Sequence, residues 1–517
     1  MMNRPGDATE LRLAELLAGL SLVTDLAAMH PAEQALRACV LASHLAHQMG
    51  LSNDEVSHAY YATMLRFVGC TAPMPEYAAS MGVADADMRP RGDMTDMTNP
   101  REAFSLLFSL GRTLPAWRRP AVWAGVMFRG RSVAATGIQA DCEVAVRMAR
   151  RFELHESVAA ALYQTFERWD GHGMPKGLEK EAISVPARFA NVAFAAVMFH
   201  DAGGREAAVD ALRRWSGRSL DPGIADAFLL RSNELLETVE SDDVWLDALA
   251  CEPSPRQVVP ERRLDEVIRG FGDFVDLKST YLHGHSAGVA ALAEGAGRVC
   301  HLTEAETTGL RRAGWLHDLG RAAVPTIVWE KPGPLTTPEW ELVRLHPYHT
   351  ERILARSSAL AALAQLAGMH HERIDGSGYH RGALAAAQPR PARILAAADV
   401  YQALTQERPH RRALSPEAAA RVLEAQPGLD RDSVTAVLEA AGQRPGRRLP
   451  WPSGLSDREV EVLRLLARGR SMRQIADSLF ISPSTVHTHV AHIYEKAGVT
   501  TRASAALFAM ENGLLDS

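Results

Sequence analysis

The sequence predicts an all-α protein: two copies of one helical domain, then a four-helix helix-turn-helix module. Three observations carry that expectation. Runs such as Leu11 to Met29, Arg311 to Leu319 and Val460 to Leu466 space apolar residues by three and four, while strand-like alternation is nearly absent. Two segments recur at one offset of 205: Glu372-Arg-Ile-Asp-Gly-Ser-Gly378 echoes Glu167-Arg-Trp-Asp-Gly-His-Gly173, and Pro391-Ala-Arg393 echoes Pro186-Ala-Arg188. Residues 454–517 carry helix-capping signals in close succession.

Composition narrows the class. A chain of 517 residues is long enough for roughly three domains. With 47% apolar and 23% charged residues it is globular, and its net charge of −6 confines any nucleic-acid contact to a local segment. Five cysteines (Cys39, Cys70, Cys142, Cys251 and Cys300) lie far apart with no CxxC pair, which excludes a disulfide framework and fits a reducing compartment. The longest apolar stretch, Phe189 to Phe199, is eleven residues even counting Asn191 within it, against the roughly 20 of a membrane helix. Glu10, Glu15 and Asp25 interrupt the stretch where a leader would be apolar. A cytoplasmic protein without membrane attachment is expected.

Pro- and Arg-bearing stretches at Cys251 to Pro260 and Gly442 to Pro452 read as joints. They divide the chain into residues 1–250, 262–441, a linker at 442–453, and 454–517. In the first piece, Leu65-Arg-Phe-Val-Gly69 corresponds to Leu316-His-Asp-Leu-Gly320 at an offset of 251. The later offset of 205 places an insertion in the first copy, within Thr71 to Arg131, where Pro73, Pro75, Pro90 and Pro100 occur.

The second piece concentrates chemistry. Thr303 and Glu306 have capping-box spacing for a helix that ends at His317 and Asp318. His346 precedes Pro347 and is expected at a helix N-cap, facing out of the turn. His370 and His371 end another helix before the turn Asp375-Gly-Ser-Gly378, and Asp399 lies on the helical run Ile394 to Leu404. Together with His285 these are five imidazoles and two carboxylates, a set that a helical bundle can converge on a dinuclear site. Each alone reads as a cap or a solvated side chain. Most of them adjoin strongly apolar sequence, however, and polar groups placed there need partners that a metal supplies.

In the last piece, Ser456 with Glu459 and Ser471 with Gln474 are capping boxes for a first helix and a second at Met472 to Leu479. Ser482-Pro483 opens a third helix that stops at Gly498, and Arg502 to Asn512 form a fourth, stopped by Gly513. The short Phe480-Ile-Ser turn makes the middle pair a helix-turn-helix. Val486, Val490 and Ile493 form its buried stripe. Seven Lys/Arg stand against seven Asp/Glu in residues 454–517, so phosphate attraction is modest, with Arg444, Arg447 and Arg448 of the linker able to add to it.

Two resemblances follow from these motifs. Tyr281-Leu-His-Gly-His-Ser286, Leu316-His-Asp-Leu-Gly320, Lys331-Pro-Gly-Pro-Leu335, His370-His-Glu-Arg-Ile-Asp-Gly-Ser-Gly-Tyr379 and Arg408-Pro-His-Arg411 resemble the HD-GYP branch of the HD superfamily of phosphohydrolases, which hydrolyse cyclic dinucleotides. The resemblance implies tandem HD-type helical domains and two divalent metals, iron or manganese, with zinc also compatible. His285, His317, Asp318 and Asp399 would hold one ion. Asp318 would bridge to a second, held by His346, His370 and His371. Asp318 and Arg321 would be catalytic, and Arg321, Arg408 and Arg411 would bind the substrate's phosphates. The sequence departs from the family at Arg321 (usually Lys), His380 (usually Pro) and Gln402 (usually Asp), and Tyr281 stands where some relatives carry a Glu for a third ion. The C-terminal segment resembles the LuxR-type DNA-binding domain. That implies a recognition helix in the major groove of double-stranded DNA, with Arg473, Ser484, Thr485, His487 and Thr488 facing it, and pairing through the last helix into a homodimer. His487 replaces the usual Lys.

The first copy is degenerate. At the two offsets, His285, His317, Asp318, His346, His370, His371 and Asp399 fall on Gln34, Arg66, Phe67, Asp141, Thr165, Phe166 and Phe194. Three phenylalanines would fill that centre with apolar volume. The resemblances therefore imply a metal-dependent phosphodiesterase acting on a cyclic dinucleotide, with cyclic di-GMP favoured, or on another phosphate ester, coupled to transcriptional regulation. The alternative is a ligand-responsive transcription factor whose HD-GYP-like domain senses a nucleotide with little turnover.

Overall fold

The computed structural model describes residues 11–69, 91–111, 115–442, 451–512 and 514–515. Pro73, Pro75, Pro90, Arg444, Arg447, Arg448 and Gly513, named above, lie outside the described residues, as do Cys70 and Glu10. Among the described residues the protein is helical, and extended pairing is limited to isolated bridges.

The first copy runs through α1 (Leu13–Ala27), α2 (Gln34–Gln48), α3 (Asn53–Met64), α4 (Pro100–Ser109), α5 (Arg119–Arg151), α6 (Glu156–Tyr163), α7 (Val185–Trp215), α8 (Pro222–Leu230), α9 (Ser232–Val239) and α10 (Val244–Ala250). The second comprises α11 (Glu261–Asp276), α12 (His285–Val299), α13 (Glu304–Leu316), α14 (Thr326–Trp329), α15 (Thr337–Arg344), α16 (His346–Leu354), α17 (Ala361–Gly368), α18 (Arg390–Thr405), α19 (Pro416–Ala425) and α20 (Arg431–Gly442). The C-terminal module is α21 (Asp457–Ala467), α22 (Met472–Leu479), α23 (Pro483–Ala497) and α24 (Arg502–Glu511).

Local chemistry sets many of these boundaries. The Thr303/Glu306, Ser456/Glu459 and Ser471/Gln474 capping boxes all form, and Ser482 accepts from the Thr485 amide. Gly498 takes the left-handed conformation after α23, the cheapest way to end a helix. His346 differs from expectation: it is the first residue of α16, Leu345 is the N-cap, and the imidazole is fully buried rather than facing outward. Pro347 occupies the second position of the helix, and packing of α16 against the 3-10 turn Leu319–Ala323 turns the ring inward.

The duplication is visible atom by atom. Glu167 accepts from the amides of Lys176 and Leu178, and Glu372 accepts from those of Arg381 and Ala383, 205 positions on. Both glutamates are buried and tie down the same loop, which the bridges Asp170–Glu179 and Asp375–Leu384 then close. A Cβ on Gly69 would lie 1.8 Å from the Asp141 carbonyl oxygen, and one on Gly320 would lie 1.9 Å from that of His346. Both glycines let a turn press on the helix that carries an equivalent position.

The interiors differ. In the first copy the Phe67 and Phe194 rings meet edge-on at 4.7 Å, and the Arg66 guanidinium lies 5.0 Å from Phe194 and 5.8 Å from Phe166. It donates to the Asn191 side-chain oxygen, so the expected apolar plug also holds a cation stacked on rings.

The two copies and the module share one continuous core. Arg151 pairs with the buried Asp273 at 2.6 Å, and α1 packs on the Leu319–Ala323 turn of the second copy. Helix α24 is buried from Ser504 to Met510 between α21 and the outer helices α5 and α11. Arg147 pairs with Glu511 at 3.1 Å, and Arg269 donates to the Met510 carbonyl at 2.7 Å. The surface expected to pair two copies through the last helix is thus covered, and pairing there requires the module to undock.

Phe194 is 4% exposed. Phe194→Ala is expected to cost about 3 kcal/mol or more, read as a lowered denaturant midpoint, with no gain of bound metal because no ligand is restored.

Candidate metal centre and DNA-reading face

Five segments of the second copy deliver the seven residues. The α13 C-terminus gives His317 and Asp318, α16 opens on His346, the turn after α17 gives His370 and His371, and α12 and α18 supply His285 and Asp399. All but His371 are buried. Among the described residues, three overlapping groups could each hold an ion: His285, His317 and Asp399; His346, His370 and His371; and His317, Asp318 and His370.

Asp318 lies between them. Its Oδ2 is 3.2 Å from His317 Nε2 and 3.6 Å from His285 Nε2, while Oδ1 is 3.5 Å from His346 Nε2 and 3.4 Å from His370 Nε2. One carboxylate therefore presents an oxygen to each trio. Asp399 pairs through Oδ1 with His285 Nε2 at 3.1 Å and approaches His371 through Oδ2 at 3.7 Å.

The hydrogen bonds fix which nitrogens are bare. His317, His346 and His370 direct Nδ1 at the carbonyls of Gly314, Val343 and Ala367, at 2.8, 2.6 and 2.7 Å. A carbonyl can only accept, so in the neutral rings Nδ1 carries the proton and Nε2 is a lone pair. The Nε2 atoms of His346 and His370 then face each other at 3.0 Å. Two facing lone pairs repel unless a cation lies between them. Both carboxylate oxygens of Asp318 and Nε2 of His317 are buried without a hydrogen-bond partner. Arg321, 2.9 Å from Oδ2, offsets part of the Asp318 charge; burying the remaining acceptors is costly, and a divalent ion is the partner this donor set fits.

Protonation agrees. Burial lowers His285 and His346 to about 4 and holds His371 well below the usual imidazole range, with His370 adding to the effect. These rings are neutral at pH 7, the form that ligates. Burial opposes ionisation of Asp318 and Asp399, but Arg321 and His317 beside the first, and His285 and His371 beside the second, hold both well below the carboxylate range.

The three arginines separate. Arg321 Nε lies 2.9 Å from Asp318 Oδ2, and its guanidinium lies 4.5 Å from the centre of the Trp329 ring. Arg408 is half-buried, donates to the Tyr281 carbonyl at 3.1 Å and stands 3.4 Å from His285 Nδ1. Burial and repulsion from Arg321 lower it to about 10, so it remains a cation at pH 7. Two guanidiniums thus flank the centre. Arg411 does not join them: it donates to the carbonyls of Ala403, Leu404 and Arg412, capping the C-terminus of α18, which corrects its expected place at the substrate. Gln402 is spent on packing, occupying the space that a Cβ on Gly288 would need.

Sequence reasoning missed Trp329, which also meets His346 edge-on at 5.6 Å, and Gln406, 2.9 Å from His285 Nδ1. It also missed the contact of Tyr379 with His371 at 4.6 Å. Trp329 and Tyr379 adjoin or end quoted motifs, so adjacency was the available signal.

In the C-terminal module, Val486, Val490 and Ile493 are buried as expected. Arg473, Ser484, Thr485, His487 and Thr488 are all exposed, on α22 and α23. The turn between these helices is made by Phe480 in the left-handed conformation, and its N–H caps Ala476.

Comparison with known proteins agrees with this geometry. Residues 136–224 and 271–432 match the HD domain family, so the match enters both copies, and residues 453–509 match the luxR family of bacterial regulatory proteins. The chain is an HD-domain, metal-dependent phosphohydrolase that carries a C-terminal LuxR-type DNA-binding domain. It is 28% identical over 416 residues to the 3'3'-cGAMP-specific phosphodiesterase 3 of Vibrio cholerae, covering 80% of this chain and 90% of that one. A cyclic di-GMP phosphodiesterase of Pseudomonas aeruginosa is 37% identical over 167 residues, 32% of this chain and 40% of that one. The crystal structure of a cyclic GMP-AMP specific phosphodiesterase of Vibrio cholerae superposes with a TM-score of 0.59 at 25% identity, over 84% of this chain and 99% of that chain.

Asp318→Asn keeps the side-chain shape but removes the charge that faces both trios. Elemental analysis of untagged protein is expected to find two ions in the wild type and fewer in the variant, with unchanged far-UV circular dichroism.

Proposed function

We propose that the second copy is a two-metal phosphodiesterase for a cyclic dinucleotide, cyclic di-GMP or 3'3'-cGAMP, and that the chain couples this activity to DNA binding. One observation supports the reading: the buried Asp318 carboxylate, paired with Arg321 through Oδ2, presents one oxygen to each of two imidazole-bearing groups. The ligands assigned are His285, His317, Asp318 and Asp399 for one ion, and Asp318, His346, His370 and His371 for the other, with iron or manganese favoured over zinc. Two such ions, when bound, supply Lewis-acid activation of water and of the phosphodiester.

The chain's own residues do the rest. Arg321 and Arg408 offer donors to the phosphate oxygens where charge develops, and their mutual repulsion is relieved when an anion lies between them. Trp329 holds the Arg321 guanidinium flat, and Arg411 fixes the end of the helix that carries Asp399. Residues 1–250 serve as a degenerate, regulatory copy, residues 262–441 as the enzyme, 442–453 as linker and 454–517 as the DNA reader. A DNA reader works where the chromosome is, so we place the protein in the cytoplasm.

The coupling rests on shared segments. Glu407, next to Arg408, pairs with Arg470 of the module at 2.7 Å. A rearrangement of the Arg408 loop around substrate is therefore felt by the DNA-binding module. Release of that module frees α24 to pair two copies on DNA.

Metal-loaded wild-type protein incubated with cyclic di-GMP or 3'3'-cGAMP is expected to yield the linear dinucleotide on chromatography, and Asp318→Ala none. Intact cyclic substrate in the wild-type reaction refutes the reading.

In fluorescence anisotropy on a selected duplex, Thr485→Ala and His487→Ala are each expected to weaken binding by about 1 kcal/mol or more, with affinity falling as salt rises. Unchanged affinity in both variants would remove α23 as the recognition helix.

A further inference from the structure

Beside the metal centre, a cavity of about 380 Å³ is lined by Glu341 and Arg344 of α15 and by Ser377, Tyr379 and His380 of the loop after His371. Tyr379 belongs to both places. Its ring lies 4.6 Å from that of His371 and 6.3 Å from that of His346, and it forms part of the cavity wall. A phosphodiester held at the centre would thus have this cavity one ring-width away, within reach of the base attached to the same nucleotide.

The wall chemistry is selective. Glu341 and Arg344 stand one helical turn apart on one face of α15, with Nη1 of the arginine 3.7 Å from Oε1 of the glutamate. Both side chains are more than half exposed, so neither is committed to a buried partner. A guanidinium fork matches the O6 and N7 acceptors of guanine, whereas adenine offers a donor, its amino group, beside N7. A carboxylate accepts from the N1–H and N2 amino donors that guanine presents and adenine lacks. The Tyr379 ring supplies an aromatic surface for a base, the usual companion of edge readout on single nucleotides.

We propose that this cavity is a nucleobase subsite selective for guanine, with Arg344 and Glu341 as its readers. The assignment rests on the cyclic-dinucleotide reading and deepens it: substrates carry at least one guanine, and cyclic di-AMP is disfavoured.

The test measures a ratio, which is insensitive to metal loading or to the fraction of folded protein. Full-length, manganese-loaded protein is assayed with cyclic di-GMP and cyclic di-AMP, and with bis(p-nitrophenyl) phosphate, a phosphodiester that has no base. Wild-type kcat/KM is expected to favour cyclic di-GMP over cyclic di-AMP by at least about tenfold, and Arg344→Ala to reduce that preference about tenfold. Glu341→Gln is expected to reduce it less, because an amide oxygen still accepts. Equal turnover of the two dinucleotides by the wild type, or an undiminished preference in Arg344→Ala, overturns the subsite while leaving the phosphodiesterase reading intact. If none of the three compounds is hydrolysed, the phosphodiesterase reading fails. The same two dinucleotides are then compared by equilibrium dialysis: tighter binding of cyclic di-GMP that is lost in Arg344→Ala sustains the subsite, and equal binding removes it.

Discussion

The buried Asp318 carboxylate, set among four imidazole nitrogens, is the constraint on which the rest of the second copy depends. Each of its oxygens faces ring nitrogens of a different group. Where carbonyls hold the Nδ1 protons, the facing nitrogens are lone pairs. Even with Arg321 paired to Oδ2, acceptors crowd this arrangement. It is held open by its scaffold: the α13 terminus, the inward-turned first residue of α16, and a glycine, Gly320, that lets the connecting turn lie directly against the His346 carbonyl. A divalent cation converts this cluster of mutually repelling lone pairs into a set of bonds.

The first copy shows what the same scaffold does without that demand. Its glutamate-tethered loop and its counterpart of Gly320 are retained, yet the centre has become phenylalanine with one stacked arginine. Aromatic rings fill much of that centre, around the buried polar residues Gln34, Asp141 and Thr165. The scaffold is therefore separable from the chemistry, and the duplication supplies a stable body against which α11 and α24 pack.

The DNA-binding module is integrated with that body rather than tethered beside it. Helix α24 is buried between its own domain and helices of both copies, while Ser484, Thr485, His487 and Thr488 of α23 stay exposed. The pair Glu407–Arg470 ties the module to the loop that carries Arg408.

The sequence by itself determined the helices, the duplication, and which residues could ligate. Those signals are local or periodic: capping boxes at Thr303, Ser456 and Ser471, echoes at a fixed offset, and histidines embedded in apolar runs. It also determined the loss of the first centre, because Phe67, Phe166 and Phe194 cannot coordinate a metal whatever surrounds them. Only the tertiary structure decided directions. His346 looked outward from its place before Pro347, yet packing of α16 turns it in. Arg408 and Arg411 share one motif, yet one guanidinium reaches His285 and the other caps α18. The last helix looked free to pair with a second copy, yet α5 and α11 cover it. In each case the side chain's partner lies far away in sequence, and no local pattern records the geometry of a contact between distant helices.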